Sequence, residues 1–185
     1  MIDLEKKLLL SAIEQAHFHK WDDTLVEAIC NINNINQDLF YIIFQNGTVG
    51  LADSFFKLVD DEMSKSITDG FHKLPIHIQV SKLLSARFDY KYTQKSVVLK
   101  ILSMPINIKF QISHVLKTAD NIWNKVAHQS NGFDYYTRRM MLSYVYKNCL
   151  LHFKKDKTHK DMMEFITNQL KFIGKITKIK HKFFA

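Results

Sequence analysis

Few side chains in this sequence stand at spacings that could do chemistry. Glu14-x-x-His17 would put a carboxylate and an imidazole on one helix face. Di-iron bundles need two such pairs and two further glutamates. The chain has five Glu (Glu5, Glu14, Glu27, Glu62, Glu164), and no other has His three places on. Its nine His and two Cys match no zinc spacing. No glycine-rich loop could cradle a phosphate, and no G-x-S-x-G presents a nucleophile. Cys30 and Cys149 lie on apolar helical stretches and read as buried free thiols in a reducing compartment. The expectation is a non-enzyme with no catalytic residue, no metal and no cofactor.

A denser signal is FDYYTRRMMLSYVYKNCLL, residues 133–151. Two aromatics, Tyr135 and Tyr136, precede two arginines, Arg138 and Arg139, at the start of the most apolar helix. Consecutive helical residues point about 100° apart, so the two tyrosines cannot both be deeply buried. Interface hot spots favour Tyr, Trp and Arg. The pair reads as an aromatic anchor, with Arg138 or Arg139 paired to an acid such as Asp120 or Asp134. Met140 and Met141 begin the apolar face, and Met lines adaptable pockets. Met141, Tyr144, Val145 and Cys149 follow at helical spacing as candidate pocket residues, with Met104, Ile108, Ile112 and Leu116 opposite.

The elements that must position these groups are all helical. Five Gly and two Pro are few for 185 residues, and no stretch alternates as a strand would. Helix is expected over residues 3–19, then after a cap at Asp22 or Asp23, then over 37–44 after a cap at Asn36. Three short helices with a tight turn before the third are helix-turn-helix geometry. A long helix carries Leu51, Phe55, Leu58, Val59, Met63 and Ile67. Pro75 opens the next, which runs to about Phe88. Further helices are expected over 94–104, ended by Pro105, and over 107–129, stopped by Asn131-Gly132. Asp134 caps the helix quoted above, and Thr158-x-x-Asp161 opens the last. The division expected is a helix-turn-helix-like N-terminal subdomain at 1–47 and a helical region with a basic amphipathic C-terminal tail at 48–185.

Charge separates these parts. The first 62 residues hold four Lys and eleven acids, a net −7; the remainder holds 22 cations and seven acids, a net +15. Phosphate neutralisation supplies most non-specific DNA affinity. The third helix, QDLFYIIF, has no Lys or Arg, so a helix-turn-helix kept as scaffold fits better than a nucleic-acid reader. No stretch reaches ~18 uninterrupted apolar residues. The opening MIDLEKKLLL reads as neither a signal peptide nor a transit peptide. The tail from Lys171 to Ala185 has five Lys and no acid. Its Lys175, Lys178 and Lys182 would meet an anionic membrane, with Phe183 and Phe184 as wedges.

Ala119-Asp120-Asn121-Ile122-Trp123, then His128-Gln129-Ser130, then Phe133-Asp134-Tyr135-Tyr136-Thr137-Arg138-Arg139 resemble the ninth coenzyme Q biosynthesis protein family. Its pattern is approximately A-D-x-x-W, then D-x-S-T-D-F-N-W-Y-T-R-R, then an apolar helix with a Tyr, near which Tyr146 falls. His128 stands for the usual Asp, Asn131-Gly132 for Thr-Asp, and Tyr135 for Trp. The resemblance implies an all-α, TetR-like fold and a non-catalytic accessory protein of ubiquinone biosynthesis. It implies an isoprenoid lipid or quinone intermediate bound among the C-terminal helices, and presentation to a di-iron demethoxyubiquinone hydroxylase. By position, Asp120, Trp123, Tyr135, Tyr136 and Arg138 would form or flank the hydroxylase-docking patch. It also implies peripheral contact with the inner membrane from the bacterial cytoplasm, or from the mitochondrial matrix side in a eukaryote, and allows a homodimer. The rival readings are a TetR-type transcriptional regulator with a small-molecule pocket, and a structural interaction protein with a closed core.

Overall fold

A computed structural model describes residues 2–104, 108–126, 133–155 and 158–183; side chains are not described at Ile2, Ile108, Phe133, Asp134 and from residue 175 onward. Among the described residues every regular element is helical: α1 (Ile2–Gln15), α2 (Asp23–Asn33), α3 (Gln37–Ile43), α4 (Thr48–Ser64), a single 3-10 turn (Phe71–Lys73), α5 (Ile76–Thr93), α6 (Lys95–Ser103), α7 (Ile108–Lys125), α8 (Phe133–Phe153) and α9 (His159–Phe183). The chain clusters into two compact units, residues 1–59 with 91–111, and residues 60–90 with 112–185.

In the first unit, local capping chemistry sets the helix starts. The Asp22 carboxylate accepts from the Thr24 amide and hydroxyl at 3.1 and 2.6 Å, and these bonds hold its pKa below the usual 3.8. Asn36 accepts from the Leu39 amide at 2.9 Å. Asn34 ends α2 in the left-handed conformation at φ 52°, which Asn tolerates. Leu8, Ala12, Leu25, Ile29, Phe40, Leu51 and Phe55 are fully buried around these helices. Trp21 is buried too, donating its indole N–H to the Thr48 carbonyl at 3.0 Å. The end of α1 is closed by Lys100 of α6, whose ammonium donates to the carbonyls of Ala16, His17 and His19. A cation on the last carbonyls of a helix satisfies unpaired acceptors and complements the dipole.

The second unit takes its core from α5, α7, α8 and α9. Phe71, Leu83, Leu84, Phe88, Ala119, Ile122, Tyr146, Cys149, Phe153, Met162 and Ile166 are essentially inaccessible. The start of α9 is a reciprocal box: the Thr158 amide donates to the Asp161 carboxylate at 3.1 Å and the Asp161 amide to the Thr158 hydroxyl at 3.2 Å. Asp performs the part usually taken by Glu or Gln.

Several boundaries differ from expectation. The first helix ends at Gln15, short of residue 19, and the seventh at Lys125, short of 129. The fourth helix ends at Ser64, short of Ile67, and α5 continues past Phe88 to Thr93. Phe133 is already helical, so Asp134 stands in the first turn of α8 and not at its cap. The stop at Asn131-Gly132, like Pro105, lies outside the described residues.

Candidate functional site

The antiparallel pair α7–α8 carries most of the residues singled out in the sequence. Its register follows from two contacts. Arg139 of α8 donates from Nε to Asp120 of α7 at 2.5 Å, and His114 of α7 meets the Tyr146 hydroxyl of α8 at 3.0 Å. Arg139 is the arginine that pairs with Asp120. It also donates to the Asn124 side-chain carbonyl at 2.9 Å and lies 3.4 Å from the centre of the Tyr135 ring. Arg138 lies over the Trp123 ring at 5.7 Å, and its backbone carbonyl accepts the indole N–H at 3.1 Å. Asp120, Trp123, Tyr135, Tyr136 and Arg138 therefore come together, tied by an arginine that the motif included and the site assignment did not. Tyr135 is half-buried beneath Arg139, while Tyr136 is 69% exposed. The two tyrosines split as helical geometry requires.

The candidate pocket residues divide. Val145 and Cys149 are buried in the second unit and Met104 is buried in the first, while Met141 is half-buried. Ile112, Leu116 and Tyr144 are exposed. The side chain of Ile108 lies outside those described. Met140 and Tyr136 join Tyr144 to form an exposed stripe along α8 at i, i+4 and i+8. The α7–α8 register sets Leu116 level with Tyr144. On the other flank, Asn148 pairs with Gln169 at 3.2 Å and His152 stacks on Phe165 at 4.1 Å, which sets exposed Phe172 of α9 at the same level. Three adjacent helices thus each present a large apolar side chain at one height.

Beneath this surface lies a polar cluster that the sequence reading passed over. Arg87 is fully buried. It pairs through Nη1 with Asp60, donates from Nε to the Tyr146 hydroxyl at 3.2 Å and from Nη2 to Thr118 at 3.1 Å. Asn121 donates to the second Asp60 oxygen at 2.9 Å. The signal was present: Val80, Leu84, Arg87 and Lys91 follow the buried stripe of α5, and a charge at such a position must be paired.

Cys30 and Cys149 are buried free thiols, as expected, and burial pushes the Cys30 pKa up, away from the reactive thiolate. Among the described residues no group of three His, Cys, Asp or Glu could hold a metal ion. Nor is any helix there long and apolar enough to cross a membrane. The candidate membrane residues Lys175, Lys178, Lys182 and Phe183 fall in α9 beyond the last described side chain, and Phe184 lies outside the described residues.

Residues 108–177, covering α7, α8 and most of α9, match the model of the COQ9 family. The chain is 32% identical over 74 residues to the human protein named ubiquinone biosynthesis protein COQ9, mitochondrial, a span of 39% of this chain and 23% of that one. It is 24% identical over 198 residues to the probable ubiquinone biosynthesis protein coq9, mitochondrial, of Dictyostelium discoideum, covering 97% of this chain and 62% of its relative. The matched regions thus span less than two thirds of these relatives. A solved structure, the TetR transcriptional regulator from Nitrosomonas europaea, superposes with a TM-score of 0.72 over 92% of this chain and 97% of its own, at 18% identity. That likeness establishes the fold as TetR-like. The family resemblance read from the Asp120–Arg139 motif is borne out by the family match and by both relatives.

Proposed function

We propose that this chain, whose residues 108–177 match the COQ9 family model, is a non-catalytic, lipid-binding accessory protein of ubiquinone biosynthesis. It binds an isoprenoid quinone precursor on its C-terminal helices and presents it to a di-iron demethoxyubiquinone hydroxylase while resting on the membrane surface through its basic tail. The observation that carries this reading is the set of exposed apolar side chains on α7, α8 and α9, namely Ile112, Leu116, Met140, Tyr144 and Phe172, with Leu116, Tyr144 and Phe172 at one height. Large apolar side chains left exposed on three neighbouring helices point to a place where something else binds. An isoprenoid chain suits a band of branched, methionine and aromatic side chains, because contact there needs no directional bonds. The patch at Tyr135, Tyr136 and Arg139 has a different character. Tyr135 is held under the Arg139–Asp120 ion pair with Tyr136 edge-on against it, and aromatic anchors beside an arginine suit a protein partner.

Regulation of transcription is the weaker reading, although the fold is shared with a TetR transcriptional regulator. From Trp21 to Phe56 the chain has five acids and no Lys or Arg, so α2 and α3 have no side-chain cation for a phosphate.

Native mass spectrometry of the purified chain, with an organic extract analysed in parallel, tests the lipid claim. The expected result is a co-purified isoprenoid lipid, or uptake of added quinone, with occupancy falling several-fold in Leu116→Ser/Tyr144→Ser. An empty protein that also refuses added quinone contradicts it.

A further inference from the structure

The helix-turn-helix region is left with an exposed face that neither the lipid band nor the Tyr–Arg patch uses. On α3 the exposed residues are Gln37, Asp38, Tyr41 and Ile42; Asp38, Tyr41 and Ile42 form a stripe with Gln45 in the turn just beyond, at i, i+3, i+4 and i+7. Ile32 at the end of α2 is 54% exposed and Ile42 is 68% exposed, both large for aliphatic side chains in so small a unit. Glu27 and Asp23 are exposed on α2. Tyr41 is not a loose surface ring. It meets Phe40 edge-on at 5.8 Å and lies so close over Gly47 that a Cβ there would sit 2.8 Å from it. A ring held in this way loses little entropy on binding. The α3 stripe is therefore apolar at Tyr41 and Ile42 and acidic at Asp38, in a stretch without Lys or Arg from Trp21 to Phe56.

The occupant that matches this pattern is a cationic amphipathic segment, and the chain carries one. Residues 171–185 hold five Lys and no acid, interleaved with Phe172, Ile173, Ile176, Ile179, Phe183 and Phe184. We propose that the exposed α3 stripe receives the 171–185 segment of a second copy of this chain. Aliphatic and aromatic side chains of the segment would cover Tyr41 and Ile42, and its lysines would meet Asp38 within the acidic front. The −7 front and +15 remainder make such head-to-tail encounter electrostatically favourable. Because the same segment is the one assigned to the membrane, self-association and membrane contact would exclude each other. This inference does not rest on the lipid and hydroxylase reading, although Phe172 is used by both.

A mixing experiment with full-length chains tests it. One variant removes the face (Tyr41→Ser/Ile42→Ser) and another removes the tail charge (Lys178→Gln/Lys180→Gln/Lys182→Gln). Every face substitution is at an exposed position, and circular dichroism checks that both variants fold. Self-association of the parent is followed by sedimentation velocity, and pairing of fluorescently labelled variants by energy transfer. The expected result is that each variant alone self-associates at least tenfold more weakly than the parent. The mixture, which retains one intact face and one intact tail, still pairs, and salt weakens that pairing. The proposal is overturned if the parent stays monomeric at all concentrations, if either variant associates like the parent, or if the mixture fails to pair.

Discussion

Arg87 can be buried because three of its nitrogens each meet an acceptor, on Asp60, Thr118 and Tyr146. Removing one partner from such a pair leaves an uncompensated interior charge, which costs about 3–5 kcal/mol. Asp60→Ala is expected to lower unfolding stability by that amount in urea titrations, and Tyr146→Phe by about 1–3 kcal/mol through the loss of one hydroxyl shared by Arg87 and His114. A smaller loss for Asp60→Ala than for Tyr146→Phe would show that the ion pair does not hold this cluster. The charge at a core position of α5 was legible in the sequence. Its partners were not, because Asp60 and Tyr146 are brought to it only by packing of distant helices. The reverse held for the tyrosine pair: helical angle alone required one of Tyr135 and Tyr136 to face outward, and the ion pair between Arg139 and Asp120 decided which.

At the scale of elements, helix starts were readable wherever the cap is local. Asp22, Asn36 and Thr158 with Asp161 all act within three residues of the group that they satisfy. Orientation was harder to read. The eighth helix carries large apolar side chains on both its buried and its exposed sides, so spacing could show that Met140 and Tyr144 share a face but not that this face looks outward. The turn between α3 and α4 makes a sharper demand. Asn46 and Gly47 both have positive φ, and a Cβ on Gly50 would collide with the Gln45 carbonyl oxygen. That atom is backbone and cannot swing away. Gly50→Ala is therefore expected to destabilise by about 1–3 kcal/mol, the usual cost of overpacking, although Ala is the better helix former. An unchanged or raised melting temperature would contradict the assigned turn.

For the whole molecule, composition excluded more than it identified. Few Gly and Pro with no alternating stretch pointed to an all-helical chain, and the acidic front argued against a nucleic-acid reader. The TetR-like fold is shared with a transcriptional regulator at 18% identity, so fold does not choose the function. The choice rests on the α7–α8 surface, where the family match and the exposed aromatics coincide. Its most direct test is surface plasmon resonance against an immobilised di-iron demethoxyubiquinone hydroxylase. The full chain is predicted to bind, and Tyr136→Ser/Met140→Ser to bind at least roughly tenfold more weakly, as loss of a central aromatic anchor implies. No binding by the parent chain, or equal binding by the variant, would contradict the docking role assigned to this surface.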